Sequence, residues 1–334
     1  MTDVTATMVR MHSFLPPARH DVIDRIRHFE TKNLVETLEW LNFATADIQE
    51  SAQHWDVFRR DDEWVNLLAA LFAQVEVQRG SIDAPIPIWP DLDDAGASGR
   101  LFYVYLFALS YEGARGFFAA EGTPENVIDR TFDVLVRHCA THRRKWGTLG
   151  VDAGWWMLPV LRGELVQIGS LQFHLVTLGI GSLSPTPWYD EHVATTLGVG
   201  FRRGDSSLGI HIPQGADLTP GRLEGTMHDA RQVLGELWPA QQRRLATCAT
   251  WMLDERLQTF LDPSANIVQF QRRFSVLSEY VDDDEDVLDF VFRSPGTALA
   301  DLSRETTLER AVVEVLSGGG HWHTCTGWFD FDGV

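Results

Sequence analysis

The period of the hydrophobic pattern changes once along this chain, and that change limits the folds open to it. Through residues 20–147 the apolar side chains recur at helical spacing. Val22, Ile23, Ile26 and Phe29 form one stripe, Leu34, Leu38 and Leu41 a second, and Trp64, Leu67, Leu68, Leu71, Phe72 and Val75 a third. Residues three and four apart share one side of a helix, so each set predicts a helix with one buried face. Residues 100–120 are apolar nearly all round and predict a helix buried on most sides. One further helix is expected from Pro124 to about His142, ending in the basic run His142, Arg143, Arg144, Lys145. Pro85, Pro87 and Pro90 mark residues 82–97 as a loop.

From about residue 155 the period becomes two. Leu171, Phe173 and Leu175 alternate with Gln172, His174 and Val176; Leu208, Ile210 and Ile212 alternate with Gly209 and His211. Further strands are expected over residues 245–253, 266–275, 287–293 and 322–329. Helices are expected over 217–237, around 255–260, and after Ser303. The acidic run at 282–286 reads as a solvated hairpin tip. The expected fold class is therefore α+β. An all-helical N-terminal domain, residues 1–155, precedes a mixed β-sheet domain with flanking helices, residues 156–334, with the boundary falling within 148–165.

Composition removes several functional classes. The 334 residues include 19 Phe and 12 Trp, far more apolar area than a disordered chain carries. The longest apolar run, residues 101–111, is about half of what a bilayer requires, so no membrane span is expected. A net charge of −19 argues against a nucleic-acid partner, which needs a basic face. The three cysteines, Cys139, Cys248 and Cys325, are odd in number and widely spaced, unlike a disulfide scaffold. The opening Met1-Thr2-Asp3-Val4 has neither the basic nor the apolar region of a secretory signal, and the expected location is a reducing cytoplasm.

His174 and His211 carry the most chemical information. Each lies mid-strand on the side opposite its apolar neighbours, so the two rings can line one cleft, and Gly209 leaves room beside His211. A neutral imidazole is a suitable general base; the alternative is a pair of packed strand residues. Cys248 and Thr250 share one face of their strand, as proton donors or as small core residues. Arg272, on an otherwise apolar face, demands an anionic partner, either an internal acid such as Asp254 or a ligand. His321, His323 and Cys325 alternate at the chain end, but no fourth ligand accompanies them, and no metal is expected. Gln214, Gly215 and Thr219 lie in a turn between a strand and a helix N-terminus, where free amides favour an anion.

Five segments together extend this reading: LRGELVQIGSLQFHL, LGIHIPQGADLTP, CATWMLDERL, SANIVQFQRRF and RETTLERAVVEVLSGGGHWHTCTGW. They resemble a bacterial acyltransferase-domain family in which a helical N-acyltransferase N-terminal domain precedes a GNAT-like C-terminal domain. The resemblance spans about residues 130–329. It implies acyl-CoA held in a split between two central strands, with its pyrophosphate on the turn at Gln214, Gly215 and Thr219. That turn carries one glycine, against the family's R/Q-x-x-G-x-G/A pattern, so another acyl carrier stays open. The implied activity is N-acyl transfer to a small-molecule amine. His211 would be the base, assisted by His174, with Cys248 or Thr250 as acid and Arg272 or Arg273 holding an anionic part of the carrier or acceptor. The alternatives are a non-catalytic acyl-thioester or partner-binding module, and thioester hydrolysis or decarboxylation on the same fold.

Overall fold

The computed structural model describes residues 18–81, 92–178, 204–238 and 245–331. The proline loop expected at 82–97 falls largely outside them. Two compact units divide at Val166/Gln167.

The first unit is helical among the described residues. Its helices are α1 (His20–Arg27), α2 (Thr31–Trp40), α3 (Thr45–Phe58), α4 (Asp62–Gln78), α5 (Gly96–Ala120), α6 (Glu125–Phe132), α7 (Val134–Trp146) and the short α8 (Leu158–Leu161). Helix α5 is its axis: every residue from 101 to 111 is buried, Ser110 the one polar aliphatic among them, as the apolar run requires. Around it Tyr105 meets Trp55 and Phe58, each with ring centroids 4.7 Å apart, and its hydroxyl donates to the Ser51 carbonyl at 3.1 Å. The single helix expected from Pro124 to His142 is two, α6 and α7, joined at Asp133, whose ψ of −12° tightens the turn. Gly147 then ends α7 at φ 73°, a left-handed conformation that glycine adopts without penalty. Close by, the buried His142 ring contacts the Asp93 carboxylate at 2.6 Å and the Thr148 carbonyl at 2.9 Å.

The second unit is built on a six-stranded sheet among the described residues. The strands are β1 (Leu165–Ile168), which straddles the division, β2 (Leu171–Thr177), β3 (Ser206–His211), β4 (Leu245–Thr250), β5 (Ser275–Asp282) and β6 (His323–Asp330), in the order β1-β2-β3-β4-β6-β5. Pairing is antiparallel for β2–β3, β4–β6 and β5–β6, and parallel for β3–β4. The parallel step needs a long crossover, which α9 (Pro220–Leu237) supplies. The other helices are α10 (Leu257–Phe260), α11 (Asn266–Gln271), α12 (Asp284–Phe292) and α13 (Thr307–Ser317). Thr306 and Glu309 close a capping box on α13.

Three expectations need correction here. Residues 266–271 are the helix α11, not a strand: Val268 and Gln271 are buried three apart, and Phe270 meets Phe274 four apart at a ring distance of 4.9 Å. Residues 287–292 are helical, within α12. The acidic run is no hairpin tip. Asp282 ends β5, Asp283 caps α12 by accepting from the Asp286 amide, and Asp284 accepts from the Trp322 amide at 2.7 Å.

Candidate active site

The register of β2 and β3 places the histidines. His174 lies opposite Gly209 and Gln172 opposite His211, so all four occupy one face of the sheet. The two imidazoles stand 5.6 Å apart between ring centroids, tilted by 44°. His174 is buried and His211 half-buried. Burial, followed by the proximity of His174, pushes the His211 imidazole down to about 3, so it is neutral at neutral pH.

Strand β4 adds a second edge to this site. Its ladder with β3 covers two pairs among the described residues, Leu208 with Ala246 and Gly209 with Thr247. Beyond them the C-terminal ends of both strands continue unladdered, to His211 on one side and Thr250 on the other. Laterally paired residues share a face. Thr247 and Ala249 therefore join the histidines, and so do Thr326 and Trp328 of β6, which pair with Ala249 and Thr247. Ala249 is exposed, whereas Thr247 and Thr326 are buried beside it.

The same register puts Cys248 and Thr250 on the opposite face, with Leu208 and Ile210. They do not reach the histidines as expected of proton donors. Burial pushes the Cys248 thiol up to about 12, as for a small core residue. The Thr250 hydroxyl accepts from the Met252 amide at 3.2 Å, where the chain leaves the strand. Alternation along β4 was legible in sequence, but which alternate set faced the histidines was not, and Thr247 was missed for that reason.

The turn after β3 leads directly into α9. Gly215 holds φ at 75°, and Asp217 accepts from the Thr219 amide at 3.0 Å. Thr219 is the N-cap residue, but its side chain makes no capping bond. Pro220 has no N–H, so the first-turn amides of Gly221 and Arg222, on exposed residues, remain at the positive end of the helix dipole. Gln214 is half-buried at the start of this turn.

Arg272 and Arg273 follow the C-terminus of α11 and are not strand residues. Arg272 is exposed, and Arg273 pairs with Glu224 in the second turn of α9. The partner suggested for Arg272, Asp254, is committed elsewhere. It binds the Arg256 guanidinium at 2.5 Å and accepts from the His323 amide at 3.1 Å. His323 lies 3.6 Å from Asp254 and 3.3 Å from Asp282, with its ring stacked on Tyr280 at 3.8 Å. His321 pairs with Asp284 at 2.7 Å. Among the described residues no group of three acidic, histidine or cysteine side chains is placed to hold a metal, and no helix is long and apolar enough to cross a membrane.

The chain is similar to known proteins over both units. A family model described as an N-acyltransferase N-terminal domain matches residues 32–163, and one described as a GNAT-like C-terminal domain matches residues 165–329. No curated protein matches the chain. Among solved structures, one of an acyltransferase in complex with decanoyl-CoA and teicoplanin is 30% identical, covering 89% of this chain and 87% of that one with a TM-score of 0.77. One of an acyltransferase in complex with decanoyl-CoA is 28% identical, covering 99% and 96%, with a TM-score of 0.78. One in complex with CoA and 10C-teicoplanin is also 28% identical over 99% and 96%, with a TM-score of 0.79. With one relation reaching 30% identity over most of both chains, and both domain models matching in order, this chain belongs to the acyltransferase family that joins an N-acyltransferase N-terminal domain to a GNAT-like C-terminal domain.

Proposed function

We propose that this protein transfers an acyl group from acyl-CoA to the amine of a small molecule. The observation that carries the reading is the His174–His211 pair beside Gly209, at the unladdered end of the parallel β3–β4 step, with a strand–turn–helix anion site immediately downstream. The acceptor nitrogen attacks the thioester carbonyl, a C–N bond forms and the C–S bond breaks. His211, neutral at pH 7, takes the proton the amine loses, directly or through water, and His174 supports it. That proton then passes to the departing thiolate, which leaves as free CoA thiol. The turn at Gln214, Gly215 and Thr219, with the first amides of α9, takes the pyrophosphate, and Arg272 and Arg273 lie one helix away for a further anionic group. The decanoyl-CoA and CoA complexes of similar acyltransferases support CoA as carrier despite the single glycine of the turn. The teicoplanin complexes of similar acyltransferases favour teicoplanin or a related compound as acceptor.

Incubation with decanoyl-CoA and a panel of amines, teicoplanin included, tests the reading by product mass and free-thiol release. An acylated amine and an equal amount of CoA are expected. Thiol release at full rate without acceptor would make the protein a thioesterase. Binding of decanoyl-CoA with neither product would make it a non-catalytic module.

A further inference from the structure

Two histidines one turn apart on α7 bond to groups outside their own helix, and they differ in what they reach. His138 Nδ1 donates to the Asp152 carbonyl at 2.5 Å, one acceptor for one proton. Burial holds its imidazole below the ordinary value, so it is neutral at neutral pH. His142 uses both nitrogens. Nε2 donates to the Asp93 carboxylate at 2.6 Å and Nδ1 to the Thr148 carbonyl at 2.9 Å. An imidazole with an acceptor at each nitrogen satisfies both only when it carries two protons, and it is then a cation. Burial works against that charge, but the hydrogen bonds to Asp93 and Thr148 outweigh it and hold the imidazole above its ordinary value.

The ring joins three segments of the helical unit. Asp93 lies in the short turn Asp93–Ala95 before α5, His142 near the end of α7, and Thr148 in the segment that follows. That segment leads directly into the turn Gly154–Met157. Its Gly150 lies flat on the imidazole, where an added Cβ would collide with three atoms of the ring, and Leu149 and Val151 are buried beside it. The other charged groups on the elements that meet here have partners of their own or face solvent. Lys145 pairs with Asp152 at 2.8 Å, Arg100 donates to the Leu149 carbonyl at 3.1 Å, Arg143 pairs with Asp47, and Asp94 and Arg144 are exposed. Asp93 is therefore the carboxylate set on the ring itself, with Asp152 a weaker attraction further off. A neutral ring that keeps its proton on Nδ1 would turn a lone pair towards the Asp93 carboxylate in a buried setting, which repels. We infer that His142 is a pH-operated latch: its imidazolium, bonded to Asp93 and to the Thr148 carbonyl, holds residues 148–152 on α7, and loss of its proton loosens them. The contribution of the charged ring is complete below about 6.5 and is lost as pH rises through the raised value.

Hydrogen exchange of the full chain, corrected for the intrinsic pH dependence of amide exchange, reads the latch directly. Protection of the amides of residues 148–152 is expected to fall at least about tenfold between about pH 6 and pH 9, since one proton lost on opening gives up to about tenfold per pH unit. The amides inside α5 should keep their protection over the same range. Asp93→Asn can accept from the charged ring and donate to the neutral one, so it removes the preference for charge and should move the fall lower by about one pH unit or more. Constant protection of 148–152 in the wild type would overturn the proposal, and so would an Asp93→Asn protein with the wild-type midpoint. Should Asp93→Asn fail to fold, nitrogen NMR of the His142 ring in the wild type decides: two ring protons at neutral pH uphold the latch, and one overturns it.

Discussion

The two faces of the sheet are made from the same strands and could hardly differ more. One face carries Leu171, Phe173, Leu175, Leu208, Ile210, Ala246, Cys248 and Phe329, all buried. Phe173 and Phe329 reach Phe331 at ring distances of 6.1 and 6.5 Å, and Arg231 of α9 lies over the same ring. The other carries Gln172, His174, Gly209, His211, Thr247, Ala249, Thr326 and Trp328. Alternation lets a single strand serve two purposes: the odd and even residues answer to different requirements, one to packing and, on the acyl-transfer reading proposed above, one to chemistry. The apolar face should therefore fail through stability, and the polar face through activity.

The largest departure is expected from His211→Ala. Loss of a general base lowers turnover by about 10²–10⁴-fold, while circular dichroism and melting temperature stay at wild-type values or above. A fall in both together would place His211 among the packing residues. Phe173→Ala should do the reverse, removing about 3–5 kcal/mol of stability in chemical denaturation, with the activity of the protein that remains folded preserved. Gly327→Ala, forced against Phe274 and Leu253, should cost about 1–3 kcal/mol through overpacking. A stabilised Gly327→Ala protein would show that Phe274 and Leu253 give way to the added methyl group.

Acid stability sharpens the same comparison. His211 is held far below its ordinary value by burial and by His174. The unfolded chain therefore binds a proton that the folded chain refuses, and stability falls as pH drops from about 6.5 towards about 3. One such group contributes a slope of at most about 1.4 kcal/mol per pH unit, and His211→Asn should flatten denaturation midpoints measured across that window. Replacing an apolar-face residue should shift the whole curve without changing its slope. The smallest effect is expected from Cys248→Ala, which should leave turnover unchanged and cost about 1 kcal/mol. Lost activity in that variant would return the thiol to the chemistry.

Much of this was available before any coordinates. Helical spacing within residues 20–147 and alternation at 170–177 and 207–213 are local properties, decided by which neighbours along the chain must share a face; among the described residues they emerge as helices and as the strands Leu171–Thr177 and Ser206–His211. The placement of His174 and His211 away from Leu171, Phe173, Leu208 and Ile210 follows from alternation alone. Three things did not. Short apolar runs such as those at 266–271 and 287–292 satisfy strand and helix periods almost equally, and burial against neighbouring elements selects the helix. The sides of β4 are distinguishable in sequence but not assignable, because its partner β3 lies across an intervening helix, and a shift of one residue in the β3–β4 register would exchange Thr247 for Cys248. The end of the β3–β4 ladder is likewise a property of where two distant segments stop pairing. Sequence determined what each strand offers on its two sides; only the tertiary structure decided which sides meet, since register is set by the packing of the whole sheet and not by any one of its strands.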